Sequence, residues 1–346
     1  MNFKRRSKLK QPALLWTGIA VSGLLLVTVL LPAVVVKQQT GTFADPHDTE
    51  AVSSSAGMVM VPVYLSKQKQ IQTVSLEQYV KGVVAAEMPA EFSEEALKAQ
   101  AIAARTYIVR RILTGDFSNV PVKEAWVTDT IQHQAYLTDD QLQKQWTGKA
   151  YESNSKKIDA AVRATADLIL TYEGKPIQAT FFSTSNGYTE DVRNVWGSDV
   201  PYLKSVSSPW DEKLSPKFKQ TVTLSYKDIL QKMGLPASSS LNTGSIKVLE
   251  RTESKRVKTA MIAGKAFTGK EIREKLGLNS TDFEAALSGS DWTFTVKGYG
   301  HGVGMSQWGA NGMAKEGKKA AEIASYYYPG AELTSASTLL NKKTQK

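Results

Sequence analysis

A run of 26 uncharged residues near the amino terminus constrains this chain more than any other feature. It extends from Gln11 to Val36 and follows a tail with five basic residues among its first ten positions. About 20 apolar residues suffice for a helix to cross a ~30 Å hydrocarbon core, and an excess of basic residues marks the cytoplasmic side. The sequence therefore predicts a cytoplasmic tail (1–11), a membrane helix (12–36) and an exterior remainder.

A cleavable signal peptide is the alternative for this segment. It would have a shorter apolar region and small residues in an A-x-A-like arrangement at its end, whereas the run here finishes with PAVVVK. We therefore expect an uncleaved anchor. Residues 37–56 are polar and small, which is typical of a linker.

Charge and cysteine content exclude several classes of function. Six of the 43 basic residues precede residue 38, ahead of all 33 acidic residues, so the exterior part carries only +4 and shows no clustered basic face for nucleic acid. The chain has no cysteine, which excludes disulfides, thiolate catalysis and cysteine-ligated zinc. No metal or other cofactor is predicted, and the core alone must hold the fold.

Helical and strand patterns are mixed without a regular βαβ rhythm, so the predicted class is α+β. Strands are predicted at 58–65, 167–172, 177–184 and 291–298, and helices from Ser75 to Pro89 and from Ser93 to Gly115. A Glu-Gly pair between the second and third of these strands predicts a hairpin. The change of texture at 211–290 predicts an inserted or appended subdomain, and 336–346 is predicted as a polar tail.

Glu87 occupies a position where the local pattern favours an apolar residue. On a helical wheel it lies roughly 10° from the centre of the apolar stripe formed by residues 76–84. A carboxyl group held against an apolar surface has a raised pKa, which is what a general acid near neutral pH needs. A buried structural ion pair is the alternative, and for Arg105 on the next helix periodicity alone also permits a salt bridge instead of substrate contact.

Two further segments can supply a binding site. Ser183, Ser185 and Asn186 belong to a polar cluster at the end of an apolar strand, which suits sugar hydroxyls but also an ordinary turn. His301 lies in a segment with six glycines between residues 298 and 312, where the backbone must bend repeatedly or approach another group closely. This histidine can orient a substrate or shuttle a proton, although a lone histidine is more often structural.

These segments resemble the stage II sporulation protein D family over essentially the whole chain. The resemblance is carried by AAEMPAEFSEEALKAQAIAARTY (85–107), STSNGYTEDVRNVWG (183–197) and GYGHGVGMSQWGANGMA (298–314). The family consists of membrane-anchored lytic transglycosylases of endospore-forming bacteria, and its domain is shared with amidase enhancers. The resemblance implies a catalytic domain of this type at 57–335.

The resemblance also implies a reaction and a site. Glycan strands of alternating N-acetylmuramic acid and N-acetylglucosamine, stripped of stem peptides, would be cleaved to 1,6-anhydro ends, with Glu87 as acid and then base. The expected cleft lining is Arg105, Ser183, Ser185, Asn186, Tyr202, Lys204 and His301. Some members of the family bind a metal through Cys and His, but His133 has no cysteine partner here, so no such zinc is predicted.

Location and partners follow from the same resemblance. The chain is expected to be single-pass in the mother-cell engulfing membrane, with its catalytic domain outside the cytoplasm. It is expected to act on peptidoglycan with stage II sporulation proteins P, an amidase and endopeptidase, and M, a polytopic protein, during forespore engulfment. A non-catalytic peptidoglycan-binding scaffold or amidase activator, in which Glu87 only stabilises the fold, remains the alternative.

Overall fold

The structure, a computed structural model, describes residues 59–237 and 242–344. The predicted tail (1–11), membrane helix (12–36) and linker (37–56) lie outside the described residues and stay predictions. Within the described ranges, no helix combines the length and apolar character required to cross a membrane. The described residues form a mixed α+β structure, which confirms the predicted class.

The chain enters the main core through a hairpin and a capped helix. Strands β1 (Met60–Leu65) and β2 (Gln70–Ser75) are antiparallel, and β3 (Val127–Thr128) pairs with β1 in parallel. Helix α1 (Leu76–Glu87) begins at a capping box in which Ser75 and Gln78 bond each other's backbone N–H groups. Both β1 and α1 lie where the sequence predicts them.

Helix α2 (Glu94–Thr114) is the centre of the main core. It packs against α1, against α4 (Lys149–Ala164) and against β4 (Leu168–Tyr172), and five of its thirteen buried residues are alanines. The short side chains let neighbouring elements approach on nearly every side, so the helix has little amphipathic contrast. A left-handed Gly115 ends it, as predicted.

Of the segment predicted as a single strand at 177–184, only Phe181 and Phe182 form a strand. The Glu-Gly turn does form a hairpin, but only β5 (Lys175–Pro176) pairs with β4, while β6 (Phe181–Phe182) pairs in parallel with β13 (Met305–Ser306). The cause is the glycine-rich segment: a Cβ at Gly304 would lie 2.0 Å from the carbonyl oxygen of Thr180, and Gly304 has a φ of +80°. Such a backbone cannot continue a regular ladder.

A second core lies in the later part of the chain. Two three-stranded sheets and two helices enclose it, and their ranges are β7 (Lys219–Ser225), α7 (Tyr226–Met233), β8 (Ile246–Arg251), β9 (Val257–Ile262), β10 (Lys265–Thr268), α8 (Gly269–Leu276), β11 (Asp282–Ser288) and β12 (Asp291–Lys297). The sheet orders are β11-β12-β7 and β10-β9-β8. The subdomain predicted at 211–290 stays a prediction as a separate unit, but this core also takes in Trp292, Phe294 and Val296 because β12 is a central strand.

The remaining elements lie before and after the second core in the chain. They are α3 (Asp139–Gln145), α5 (Arg193–Trp196), α6 (Trp210–Leu214), α9 (Gln307–Lys315), α10 (Ala320–Tyr327), β14 (Glu332–Ser335) and α11 (Ala336–Thr344). Strand β14 pairs with β4. The last residues, predicted as a polar tail, instead include α11, because Ala336 is buried and Leu339 and Leu340 pack with it against Ile169.

Candidate active site

Glu87 is the last residue of α1, and the sequence explains why the helix ends there. Pro89 disfavours helical backbone at the residue before it, and Met88 is extended at φ −120° and ψ 141°. The last turn of α1 contains no basic residue. Because the carboxyl end of a helix carries partial negative charge, this position does not favour the ionised form of a carboxyl group.

The Glu87 carboxyl is half-buried and has one fixed oxygen. Its Oε1 accepts a hydrogen bond of 3.0 Å from the backbone N–H of Ala135, whereas Oε2 accepts none from residues 59–237 and 242–344. Burial raises the pKa of Glu87, and the Ala135 N–H and the Gln307 side chain offset part of that rise. The carboxyl is therefore oriented and holds its proton to a higher pH than an exposed glutamate.

The loop that supplies the Ala135 donor is fixed on α1 by close packing. The rings of Tyr79 and Tyr136 stack with centroids 5.6 Å apart, and the Leu137 N–H donates to the Gly82 carbonyl at 3.2 Å. A Cβ at Gly82 would lie 2.3 Å from the Tyr136 ring, so only glycine permits this approach. The position of the Ala135 N–H thus depends on a helix residue five positions before Glu87.

Gln307 faces Glu87 from the first turn of α9. It follows the N-cap Ser306, is 5% exposed, and lowers the Glu87 pKa, although its Nε2 has no hydrogen bond of normal geometry in the described part of the chain. A buried amide donor without a partner is costly and is placed to bind a ligand. Sequence reasoning missed this residue; its position within the glycine-rich segment was the available signal.

Arg105 lies elsewhere. Its fully buried guanidinium donates to both carboxylate oxygens of Glu77, at 2.9 and 2.6 Å, and to the Leu168 and Val162 carbonyls. Glu77 is in the first turn of α1, roughly 15 Å from Glu87 along the helix axis at 1.5 Å per residue. The predicted cleft-lining role for Arg105 does not fit this geometry, because the guanidinium joins its own helix α2 to α1, α4 and β4.

The three residues of the serine and asparagine cluster differ in their surroundings. Ser183 is half-buried beside the start of α9, where its carbonyl accepts from the Trp308 N–H at 3.1 Å. Ser185 is fully buried, and its Oγ donates to the Ser208 carbonyl at 3.1 Å. Asn186 donates to the Ser254 carbonyl and to Asp282, both at 2.8 Å, and so connects the two cores. Only Ser183 is placed beside Gln307 and is accessible.

His301 lies on the same side as Ser183 but does not titrate near neutral pH. Its ring packs between Phe182 and Trp196, with centroid distances of 5.7 and 5.3 Å, and its Nδ1 accepts from the Val303 N–H at 3.1 Å. Burial lowers the pKa of His301 to about 4, with Arg273 also acting in this direction. The ring is therefore neutral at pH 7, so it is suited to packing and hydrogen bonding rather than to proton transfer.

Tyr202 and Lys204 have partners of their own. The Tyr202 hydroxyl accepts from the Gln178 N–H at 3.1 Å, and its ring lines a cavity of about 590 Å³ together with Arg110. Lys204 forms an ion pair of 2.5 Å with Asp199. Neither residue contacts Glu87 in the structure, and their predicted contact with substrate stays a prediction.

His133 lies in the loop next to Glu87 and has two protein partners. Its Nδ1 accepts from the Thr128 N–H at 3.2 Å, and Nε2 lies 3.2 Å from the Ser118 carbonyl. Burial lowers its pKa. Between residues 59 and 344, leaving out 238–241, no three His, Asp or Glu side chains are grouped to hold a metal ion. Burial thus favours the neutral ring, and the contacts with Thr128 and Ser118 orient it.

Comparisons with known proteins point to a single family. Residues 64–172 match the family model described as "SpoIID: Stage II sporulation protein". "Stage II sporulation protein D" of Bacillus subtilis (strain 168) is 48% identical over 91% of this chain and 90% of its own length, and that of Bacillus amyloliquefaciens is 50% identical over 83% and 82%. "Amidase enhancer" of Bacillus subtilis is 33% identical over 74% of this chain and 40% of its own length.

Proposed function

This chain belongs to the stage II sporulation protein D family, and we propose that it is a lytic transglycosylase that cleaves peptidoglycan glycan strands. The observation that carries this proposal is the Glu87 carboxyl, which is half-buried, has a raised pKa and keeps one oxygen that accepts no hydrogen bond of normal geometry from the described residues. A carboxyl group that keeps its proton to a higher pH than an exposed glutamate suits a general acid.

Glu87 would act twice in one turnover. The protonated carboxyl gives its proton to the glycosidic oxygen between N-acetylmuramic acid and N-acetylglucosamine, and the C–O bond to the anomeric carbon breaks. The resulting carboxylate then takes the proton of the muramoyl 6-hydroxyl as its oxygen bonds to the anomeric carbon. The product carries a 1,6-anhydro ring, no water is consumed, and Glu87 is protonated again.

The surroundings of Glu87 support this cycle over hydrolysis. Hydrolytic glycosidases generally use two carboxyl groups that flank the bond. Burial raises the Glu87 pKa, and a backbone N–H and a glutamine side chain lower it. No second carboxylate is among the causes of the shift. One acid that becomes a base is sufficient when the substrate supplies its own nucleophile.

The test is mass spectrometry of purified, peptide-stripped glycan strands after incubation with the full-length chain. Anhydro-muramoyl ends that form with the wild type and disappear with Glu87→Gln support the proposal. Glu95→Gln is the matched control, since Glu95 is also a half-buried carboxylate that accepts a backbone N–H, from Ala320 at 2.8 Å. Reducing muramic-acid ends would instead show hydrolysis, and unchanged products with Glu87→Gln would refute the assigned role.

A non-catalytic role is the second candidate, and the 33% identity to "Amidase enhancer" favours it. In that case the chain would bind glycan strands and activate an amidase. The same incubation would give no cleavage with the wild type, and addition of an amidase would release stem peptides faster in the presence of the chain than without it.

The proposed setting is the mother-cell membrane during forespore engulfment. The uncharged run at 12–36 would anchor the chain with its catalytic domain outside the cytoplasm, next to stage II sporulation proteins P and M. An amidase partner would supply the peptide-stripped strands. Protease treatment of intact protoplasts tests the orientation, since it should degrade the chain while sparing its first residues.

A further inference from the structure

Arg273 on α8 has a half-buried guanidinium that forms no hydrogen bond or ion pair in the described part of the chain. Burial lowers its pKa. By contrast, Arg105, Arg111, Arg251 and Arg256 each donate to a carbonyl or carboxylate. A partly desolvated cation without a partner is costly, which points to an anionic ligand that completes it.

The backbone connects Arg273 to the glycine-rich segment. The Arg273 carbonyl accepts from the Leu278 N–H at 2.9 Å, and the next residue, Asn279, accepts from the Gly300 N–H at 2.9 Å. On either side of Gly300, Tyr299 raises the pKa of Arg273, and the charge of Arg273 lowers the pKa of His301. Arg273 therefore lies beside the loop that contains His301.

Two exposed aromatic rings border the same place. Trp196 is 40% exposed with its ring 5.3 Å from that of His301, and Tyr299 is 37% exposed. Large aromatic side chains exposed next to a cation are favourable surfaces for the apolar face of a sugar ring, with the cation available to a charged substituent.

A second arginine lies on the inner side of the same segment. Arg256 lies behind Gly302, where a Cβ would be 2.7 Å from its guanidinium carbon, and His301 is uncharged. Of the nearby acids, Glu190 is bonded to Thr252 and Ser254, and Asp282 to Asn186 and Arg251. Glu274, next to Arg273 in the chain, is exposed to solvent and offsets only part of the fall in the Arg273 pKa. An anion is therefore the ligand that this place favours.

We propose that Arg273, Tyr299 and Trp196 form a subsite for a sugar that carries a free carboxylate, namely a muramic acid whose lactyl group has lost its stem peptide. This inference rests on the proposed function. Amide-linked peptide removes the negative charge from the lactyl group, whereas its removal restores a carboxylate that can take a bidentate pair from arginine. The subsite would thus make peptide removal a condition for tight binding.

One continuous segment of the chain contributes residues both to the proposed subsite and to the surroundings of Glu87. His301 lies six residues before Gln307, and the residues between them include β13, which pairs with β6. Ser183, directly after β6, lies next to Trp308. A strand bound at Glu87 can therefore extend over Ser183 towards His301, Tyr299 and Arg273.

The test measures binding, so that it does not depend on catalysis. Full-length chain carrying Glu87→Gln is titrated with soluble peptide-stripped strands, and with the same strands after carbodiimide coupling of their lactyl carboxylates to methylamine. Adding Arg273→Gln should weaken binding of the native strands about 10-fold, as expected for a lost charge-assisted pair, and should leave binding of the amidated strands unchanged. Lys275→Gln, which removes an equal charge from the same helix, should change neither.

Equal loss on both kinds of strand would show a structural role and overturn the inference, as would no loss on either. Thermal melting of each variant and partial recovery by Arg273→Lys exclude simple unfolding. The proposed activity fails on a different observation, the absence of anhydro ends with the wild type, so a chain that binds selectively but does not cleave would retain the subsite.

Discussion

The backbone N–H of Ala135 donates to Oε1 of Glu87 at 3.0 Å across a sequence separation of 48 residues. This bond fixes the orientation of a carboxyl group whose other oxygen accepts no hydrogen bond of normal geometry from the described residues. A neutral carboxyl can accept at one oxygen and present its proton at the other. The loop around Ala135 therefore positions the acid as well as covering it.

Glu87→Gln should reduce cleavage by roughly 10²- to 10⁴-fold, the usual contribution of a positioned general acid. Glutamine retains an oxygen to accept from Ala135 but cannot donate a proton to a leaving group as an acid. Initial rates of anhydro-end formation measure the effect, with Glu95→Gln as control. Retention of more than about a tenth of wild-type activity would contradict the assignment.

The same substitution should stabilise the fold, with a defined pH dependence. The pKa of Glu87 is raised above its usual value of 4.5 in the folded chain, so between these two values the folded state binds more protons than the unfolded state. Stability contributed by this residue is then complete below about 4.5 and is lost as the pH rises through the raised value. Denaturant unfolding should show Glu87→Gln equal to the wild type at pH 4 and more stable at pH 8; lower stability at pH 8 would contradict this.

Gln307→Leu should move the basic limb of the pH–rate profile to higher pH. The Gln307 side chain lowers the Glu87 pKa, so its removal lets the acid keep its proton further up the pH scale. Gln100→Leu is the control, because Gln100 is also a fully buried glutamine whose amide has no hydrogen bond within 59–237 and 242–344. A limb that stays in place with Gln307→Leu would mean that this side chain does not act on Glu87.

Sequence periodicity was sufficient to single out Glu87 as a candidate, because a carboxyl within an apolar stripe is a local signal. It could not find the Ala135 donor, since a backbone N–H has no signature in the side-chain pattern and its position depends on long-range packing. Arg105 shows the converse. Its position at the edge of an apolar face was visible in the sequence. Only the fold shows that the Arg105 guanidinium pairs with Glu77, in the first turn of the preceding helix.

Strand prediction succeeded where side chains alternate and failed where glycines intervene. β1 and β12 lie where the sequence predicts strands, because their residues alternate between a buried and a more exposed face. Residues 177–184 are equally apolar, yet Gly300 and Gly304 at positive φ draw this segment into an irregular pairing. Such pairing depends on a partner more than 100 residues away.

Gly82→Ala should destabilise the fold by about 1–3 kcal/mol, the usual cost of overpacking. Its Cβ would lie 2.3 Å from the Tyr136 ring and 2.7 Å from the Leu137 carbonyl oxygen, so the loop must move away from α1. Ala135 belongs to this loop, so the movement would weaken the hydrogen bond from its N–H to Glu87. That bond offsets part of the rise in the Glu87 pKa. Denaturant unfolding measures the first effect and the pH–rate profile the second, and Gly115→Ala, where the Cβ meets nothing within 4 Å, should leave the profile unchanged.

Arg105→Ala should cost on the order of 3 kcal/mol of stability, as for other broken buried ion pairs. The change removes two bonds to Glu77, leaves the Leu168 and Val162 carbonyls without their donor and opens a cavity in the core. Below the melting temperature of the variant, kcat and KM for glycan strands should match the wild type. The guanidinium is fully buried, and its partner Glu77 lies roughly 15 Å from Glu87 along α1. Arg110→Ala, on the same helix but without an ion pair in the described residues, should change stability by less than about 0.5 kcal/mol. A raised KM for Arg105→Ala at unchanged stability would instead place this residue in the cleft.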